Sequence, residues 1–486
     1  MSNIKESYKK TYEETAKALE KTGKDVKEYW HTLGPGLTTG ASDDDPSGIA
    51  TYSQTGAMYG YGLIWMSLFT FPLMSVVQEM CARIGLVTGQ GLAANIRRYY
   101  SRPVLYTCTI LLLGANIFNI GANLGAMAEA LRLLIPVIPF GALVVFFGVG
   151  SLLLQIYTSY EEYAKYLKYL ALVLLAYVVS ALTMNIDWSD VFAHTLVPKI
   201  HLTKDTLVMM CAILGTTISP YLFFWQTSQE VEEKLLKKQK KENLESVALE
   251  HESQVGIEHV TESQKIAVID EMEVKMYADD SHVRVGSQDQ VRVTSSDIKK
   301  MRIDVWSGMF ISNAVMFFII ASCAAGLNAM GITEIQTAAD AALALKPFAG
   351  NLTFVLFAIG VVGTGMLAIP VLAGSAAYAV SESFGWKFGL YRKLKEAYAF
   401  YGVIALATLV GISINFIGLD PIKALIYSAV GNGLVAPIIL FIIVSMSSRA
   451  DIMGDKRNGI FSRMIGWVTV FLMAIAALGT LWALTA

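Results

Sequence analysis

Eleven long apolar runs divide this chain, and they constrain its fold more than any other feature of the sequence. A helix that spans a bilayer needs about 20 mostly apolar residues. Inside the bilayer the backbone must satisfy its own hydrogen bonds, so only helices and closed barrels can cross it. Runs of this length therefore predict an all-α integral membrane protein with about 11 transmembrane helices. The predicted spans are 35–58, 62–87, 104–134, 138–157, 164–184, 206–229, 303–326, 350–380, 398–416, 421–446 and 461–484.

Charged residues are scarce outside a few segments. They make up 16% of the 486 residues, whereas soluble proteins carry about a quarter. The formal net charge of -2 argues against a nucleic-acid partner, which would require a basic face. No P-loop, hydrolase triad or zinc-protease motif occurs, so we expect no ATP-driven pump, no enzyme and no cofactor. The expected partners are the lipid bilayer and a transported substrate.

The positions of lysine and arginine orient the chain in the cell membrane. Cations cluster in the loops after the second, fourth, eighth and tenth spans, and basic loops face the cytoplasm. Lys199 and Lys204 are the main exceptions. These loops predict a cytoplasmic N-terminus and, with an odd number of spans, an extracellular C-terminus. The cations are Arg97, Arg98, Arg102, Lys165, Lys168, Lys387, Arg392, Lys393, Lys395, Arg449, Lys456 and Arg457.

Two charged segments lie outside the spans. Residues 1–34 predict an amphipathic helix on the cytoplasmic surface, and residues 231–302 predict one long cytoplasmic loop. The loop contains His251, His259 and His282, but their spacing fits no metal-coordination motif. Mixed charge at this density is typical of a solvated linker. A regulatory role of the loop stays open, as does the alternative that the protein is a metal sensor that signals through it.

The first span carries three consecutive carboxylates at its middle, Asp43, Asp44 and Asp45, followed by Pro46 and Gly48. An acidic residue near the bilayer centre costs on the order of 3 kcal/mol and therefore faces a cavity or a partner. Proline removes a backbone donor, and glycine offers no side chain that resists unwinding. Free carbonyl groups beside a carboxylate form a cation site. We therefore predict a broken helix that binds a cation, with Asp45 as the anionic ligand.

The sixth span has a matching interruption at Gly215-Thr216-Thr217-Ile218-Ser219-Pro220-Tyr221. Interrupted segments at corresponding positions of two halves indicate a transport site at the bilayer midplane. The spans then form two inverted five-helix repeats. The first repeat is 35–184, the second combines 206–230 with 303–446, and 461–484 is peripheral.

The residues around these breaks resemble the Nramp family of divalent-metal transporters. Gly34-Pro35-Gly36-Leu37 and Asp45-Pro46-Ser47-Gly48 are similar to that family's GPGL and DPGN motifs. The run Ala82-Arg83-Ile84-Gly85-Leu86-Val87-Thr88-Gly89 is similar to its ARLGVATG. Gln54-Thr55-Gly56-Ala57, Leu372-Ala373-Gly374 and Pro437 fit the family as well. The resemblance implies a LeuT-like fold and transport by alternating access.

The chain departs from the family pattern where the family binds metal and moves protons. The asparagine of DPGN is replaced by Gly48, and the sixth-helix methionine is replaced by Ser219. Two sixth-helix histidines are replaced by Tyr221 and Gln226. The acids of the third helix and the glutamine of the tenth are replaced by Asn116, Asn119 and Ala429.

These departures resemble the Nramp-related magnesium transporters. Loss of a thioether removes selection for softer metals, and Mg²⁺ suits a roomy, oxygen-lined site because it keeps several waters. The resemblance implies uptake of Mg²⁺, with Mn²⁺ also accepted, as a secondary transporter without proton coupling. The alternative is a proton-coupled Mn²⁺ or Fe²⁺ transporter of the ordinary Nramp type. An amino-acid transporter on this fold is disfavoured, because the aspartates would repel a substrate carboxylate.

The expected metal ligands are Asp45, directly or through water, and the backbone carbonyls of Gly48 and Thr216. Ser219 either contributes its hydroxyl or hydrogen-bonds to a helix carbonyl. We place the remaining residues along the pathway or its vestibule: Asp43, Asp44, Tyr221 and Gln226. Asn116 and Asn119 are expected to bond between helices rather than touch the ion.

Overall fold

The computed structural model describes residues 34–158, 174–199, 202–255 and 293–485, without the side chains of 239–255. Within these ranges every regular element is an α-helix or a short 3-10 turn. The α-helices, numbered α1 to α18 in chain order, are Pro35–Asp43, Pro46–Tyr59, Trp65–Thr88, Leu92–Tyr99, Arg102–Arg132, Phe140–Tyr157, Leu175–Thr183, Trp188–Leu196, Lys204–Thr217, Pro220–Val255, Ser295–Gly326, Ala338–Ala342, Lys346–Ala349, Thr353–Phe384, Tyr398–Ile414, Pro421–Ser448, Ala450–Met453 and Ile460–Thr485.

Seven helical segments of the described chain are long and apolar enough to cross a membrane. The other four predicted spans do not form a single long helix that is apolar enough to be counted with these seven, and each differs from them in its own way. The first is split into α1 and α2, and the ninth is the 17-residue helix α15. The second span forms the 24-residue helix α3, which contains Glu79 and Arg83. The fifth is described only in its last part, α7. The helices thus follow the predicted order of spans.

The sixth span continues farther than its composition suggests. Helix α10 runs from Pro220 to Val255, well into the segment predicted as a loop from residue 231. Helix α11 begins at Ser295, where Thr294 and Asp297 form a capping box. Several predicted features lie outside the described residues or side chains. They are residues 1–33 of the predicted N-terminal helix, the cations Lys165 and Lys168, and the three histidines of the long loop.

Helix α11 is the main support of the broken first span, since it packs along both α1 and α2. Its backbone approaches α1 so closely that no side chain fits between them. A Cβ atom on Gly36 would lie 2.6 Å from the amide nitrogen of Val305, and one on Gly40 would overlap the carbonyl group of Gly308. Small residues permit this approach between helices in a membrane.

Asp304 of α11 also accepts hydrogen bonds from the free backbone amides at the N-terminal end of α1. Its carboxylate accepts hydrogen bonds from the backbone amides of Gly34 at 2.8 Å, Gly36 at 2.6 Å and Leu37 at 3.0 Å. The first amides of a helix have no partner within the helix, and a negative charge there is favourable. One buried side chain of α11 therefore fixes the start of α1.

Three of the loops predicted to be cytoplasmic, those after the second, eighth and tenth spans, contact one another or the neighbouring spans at one end of the helix bundle. Arg97, after the second span, donates to the carbonyl of Glu382 in the eighth at 3.4 Å. Arg449, after the tenth span, lies over the rings of Tyr99 and Tyr100. The loops after the second, eighth and tenth spans thus share one face of the protein.

We predict that Gly40→Ala destabilises the protein, because the added methyl group would overlap the backbone of Gly308. Overpacking of this kind costs about 1–3 kcal/mol. Gly114→Ala is the matched control, since a Cβ atom at this exposed helical glycine meets nothing within 4 Å. Thermal unfolding in detergent should show a lower midpoint for Gly40→Ala only. Equal midpoints in the two variants would contradict the proposed close contact.

Candidate cation site at two helix breaks

The first break is a change of direction between two helices that share one span. Helix α1 ends at Asp43, and α2 begins with Pro46 at its first position. Proline is favoured there because the first helical amide needs no partner. The unwound residues are thus Asp44 and Asp45, whereas Ser47 and Gly48 already belong to the first turn of α2. The break therefore lies one or two residues earlier than the proline and glycine suggested.

Asp45 holds this break together as the N-cap of α2. Its Oδ1 accepts hydrogen bonds from the Gly48 amide at 2.9 Å and the Ser47 hydroxyl at 2.6 Å. Its Oδ2 accepts one from Asn123 Nδ2 of α5 at 3.0 Å. The side chain is buried. Gly48 thus contributes its amide to the carboxylate, in addition to the carbonyl that we expected to face the ion.

Asp43 and Asp44 are buried rather than exposed at a vestibule edge, with 0% and 3% of their surface accessible. Ser312 of α11 bridges them, donating to Asp43 Oδ2 at 2.6 Å and approaching Asp44 Oδ1 at 3.3 Å. No salt bridge in the described part of the chain involves Asp43, Asp44 or Asp45. Buried carboxylates are normally paired with a cation, and the described side chains supply none here.

The second break lies at Ile218 and Ser219, between α9 and α10. The Ser219 hydroxyl lies 2.7 Å from the carbonyl oxygens of both Gly215 and Thr216. It therefore satisfies carbonyls at the end of α9, which is the helix-bonding role that we had kept open for it. The Thr216 carbonyl consequently has a partner in this arrangement.

The two breaks face each other. A Cβ atom on Gly48 would lie 3.2 Å from Thr216 Oγ1, and the Tyr52 hydroxyl lies 3.2 Å from Thr217 Oγ1. The structure therefore brings Asp45, Gly48 and Thr216 together. Among the described residues no group of three or more His, Cys, Asp and Glu is arranged to hold a metal. A cation bound here would use hydroxyl, amide or backbone oxygens beside one carboxylate.

Tyr221 and Gln226 connect α10 to α1 next to the breaks. The Tyr221 hydroxyl donates to the carbonyl of Ser42 at 3.0 Å. Gln226 donates to Glu230 Oε1 at 2.9 Å and accepts a hydrogen bond from Thr39. Both side chains are buried, so they join α10 to α1 instead of lining an open channel.

The third span supplies two neighbours of Asp45. Asn123 was missed in the sequence, and Asn119, which was expected to bond between helices, lies near the same carboxylate. Of the two asparagines expected to bond between helices, Asn116 does so, to the Leu372 carbonyl at 2.9 Å and to Ser375 at 2.7 Å. The three asparagines follow the i, i+3, i+7 spacing of one helix face. That spacing is the signal that could have identified Asn123.

The chain matches a known protein family over most of its length. The family model described as Nramp, natural resistance-associated macrophage protein-like, matches residues 36–483. The divalent metal cation transporter MntH of Pectobacterium carotovorum is 22% identical over 465 residues, which cover 91% of each chain. MntH of Verminephrobacter eiseniae is 31% identical over 194 residues, but these cover only 39% of this chain and 44% of the relative.

Solved structures share the fold. The Eremococcus coleocola manganese transporter, crystallised with an aromatic bis-isothiourea compound, has a TM-score of 0.67 at 18% identity, covering 93% of this chain and 86% of that one. Mhp1, a nucleobase-cation-symport-1 family transporter, has a TM-score of 0.52 at 12% identity, covering 93% and 91%. The predicted all-α, LeuT-like membrane fold is confirmed.

The matched family model spans nearly the whole chain, including both helix breaks. Its members are multi-pass membrane transporters, which confirms that the protein is not an enzyme. They carry metal as a substrate, so no cofactor is implied. This chain belongs to the Nramp family.

Proposed function

We propose that this protein carries Mg²⁺ into the cell by alternating access, accepts Mn²⁺ as a second substrate and moves no protons with them. One observation carries the proposal: Asp45 is a buried carboxylate at a helix break, and its hydrogen-bond partners are hydroxyl and amide groups only. An anionic site without a protein cation favours a cationic substrate.

Divalent charge is supported by the relatives. Two are named as divalent metal cation transporters, and a structural neighbour is a manganese transporter. These names favour no single metal, so the choice of Mg²⁺ rests on the surroundings of Asp45. Hard cations prefer oxygen ligands, and Mg²⁺ binds through one or two carboxylates while keeping several waters.

The proposed ligands are Asp45, Gly48, Thr216 and Ser219. Ser219 and the Thr216 carbonyl are bonded to each other in the present arrangement, so an ion would reach them by displacing that bond or through a water. Asp43 and Asp44 are proposed to add negative charge beside the site. Tyr221 and Gln226 are proposed to form its inner closure, which must open to release the ion.

The absence of imidazole supports uncoupled transport. A proton relay in a membrane requires titratable groups along a path. Tyr221 and Gln226 stand where the family has histidines, and neither side chain is an imidazole that could carry a proton. Tyr221 donates to the Ser42 carbonyl, and Gln226 bonds to Thr39 and Glu230. His194, the one histidine whose side chain the structure describes, lies in α8 and pairs with Asp190 away from the breaks.

A second candidate function is proton-coupled transport of Mn²⁺ or Fe²⁺. Thioethers favour softer metals, and Met316 Sδ lies 3.9 Å from Thr217 Oγ1 beside the second break. Glu230, bonded to Gln226, is a buried acid that a proton could use. Among the described residues neither Met316 nor Glu230 hydrogen-bonds to Asp45, so we give this function second place.

We also propose that the N-terminus is cytoplasmic and the C-terminus extracellular. The contacts that join the basic loops after the second, eighth and tenth spans at one end of the bundle support this orientation.

Purified protein in liposomes should take up Mg²⁺ and Mn²⁺, with no pH change inside the vesicles. An inside-negative potential of 100 mV should accelerate uptake, because moving two charges through it yields about 4.6 kcal/mol. Fluorescent indicators for Mg²⁺, Mn²⁺ and protons provide the measurement, and empty liposomes are the control. Uptake of Mn²⁺ without Mg²⁺, or acidification that accompanies uptake, would favour the second candidate.

Asp45→Asn should abolish transport while leaving the fold intact, because asparagine caps a helix almost as well as aspartate but lacks its charge. The matched control is Asp420→Asn. Asp420 also precedes a proline and caps a helix, accepting from the Lys423 amide at 2.9 Å, but it is exposed. We expect the control to transport normally. Normal transport by Asp45→Asn would disprove the assignment of the site.

A further inference from the structure

The asparagine face of α5 leaves polar atoms unpaired beside Asp45. Asn119 and Asn123 are both 0% exposed. Asn123 uses its Nδ2 for Asp45, but within the described part of the chain its Oδ1 has no hydrogen-bond partner. Asn119 has none for either its oxygen or its nitrogen in the same part of the chain. Buried polar atoms are normally paired, so such a group calls for an explanation.

Asn119 and Asn123 both lie beside the Asp45 carboxylate. Asp45 Oδ1 accepts hydrogen bonds from Ser47 and Gly48, whereas Oδ2 accepts the amide of Asn123. Asp43 Oδ1 adds a further oxygen without a partner among the described residues. An unpaired buried acceptor costs about 1–3 kcal/mol. Several buried oxygens therefore lack a hydrogen-bond donor among the described residues. They lie next to carboxylates that no described cationic side chain neutralises.

The charge and hydrogen-bonding capacity of these oxygens indicate which kind of ligand they can bind. An anion is excluded, because it would meet carboxylates and carbonyl oxygens. Water alone would supply donors but would leave the negative charge uncompensated. A hydrated divalent cation supplies both, since its charge faces Asp45 and each water that it keeps has two O–H groups to donate.

We propose that Asn119 and Asn123 bind the hydration shell of the transported ion. Asn123 orients Asp45 Oδ2 through its amide hydrogen and accepts a hydrogen bond from a water of the ion through Oδ1. Asn119 accepts a second. This inference rests on the proposed binding of a divalent cation at Asp45 and deepens it: the third span selects an ion that retains water.

The same helix face provides a matched comparison. Asn116 is equally buried and of the same residue type, and its Oδ1 also has no hydrogen-bond partner among the described residues. Its amide, however, bonds to the Leu372 carbonyl and to Ser375 instead of to Asp45. It therefore serves helix packing. Replacement of Asn119 or Asn123 should affect the ion, whereas replacement of Asn116 should affect stability.

The test uses the full chain in liposomes and in detergent, with MgCl₂ and MnCl₂ as the probes. Asn123→Leu and Asn119→Leu should raise the half-saturating Mg²⁺ concentration by about 10–100-fold, as loss of outer-shell partners does at metal sites. The maximal rate should change less, and the preference should shift from Mg²⁺ towards Mn²⁺. Asn116→Leu should leave half-saturation and preference unchanged.

Thermal unfolding separates ion binding from packing. Asn119 lies near Asp45 but makes no close hydrogen bond among the described residues, so Asn119→Leu should cost the ion-free protein little stability. The rise in unfolding midpoint that MgCl₂ causes in the unaltered protein should shrink in this variant, because a ligand stabilises only according to its affinity. An unchanged Mg²⁺-induced rise, or unchanged half-saturation in both leucine variants, would overturn the inference.

Failure of this inference is distinguishable from failure of the proposed function. If the unaltered protein moves Mg²⁺, Asp45→Asn does not, and both leucine variants keep the original half-saturation, only the role of the third span is wrong. If the unaltered protein moves no Mg²⁺ in the same liposomes, the proposed function fails, and this inference fails with it.

Discussion

Every backbone amide and carbonyl in the bilayer must find a partner inside the protein, and the structure around the breaks follows from this constraint. The first break is closed by Asp45, which caps the start of α2, and the second by Ser219, which caps the end of α9. Asp304 caps the N-terminal end of α1 in the same way. Side chains that cap a helix carry oxygen atoms, and oxygen atoms also bind hard cations. The proposed cation site therefore lies where these caps occur.

Helix dipoles add direction to this arrangement. The ends of α1 and α9 turn partial negative charge towards the breaks, whereas the start of α2 turns partial positive charge there. Asp45 lies between these poles and offsets the positive one. A cation is therefore favoured on the side of Asp45 that faces Thr216 and α5, away from the axis of α2. Asn119 and Asn123 of α5 lie on that side.

The sequence predicts the spans, their order and the two breaks because hydropathy, proline and clustered acids act within a few residues. It does not reveal that Asn123 donates to Asp45 or that Ser312 bridges Asp43 and Asp44, since these pairs are 78 and 269 residues apart. The burial of Asp43 and Asp44 has the same cause, because α11 covers them. The extension of α10 to Val255 escaped detection because its composition is that of a solvated loop.

The contact between α1 and α11 has a consequence for how such a protein could move. Gly36, Gly40 and Gly308 bring two backbones together without an intervening side chain. Side chains can yield by changing rotamer, but a backbone contact offers no such graded response. Helix α1 must then either stay seated on α11 or detach as a rigid piece, together with the three amides held by Asp304. Opening at this end of the molecule would be a discrete switch rather than a continuous widening.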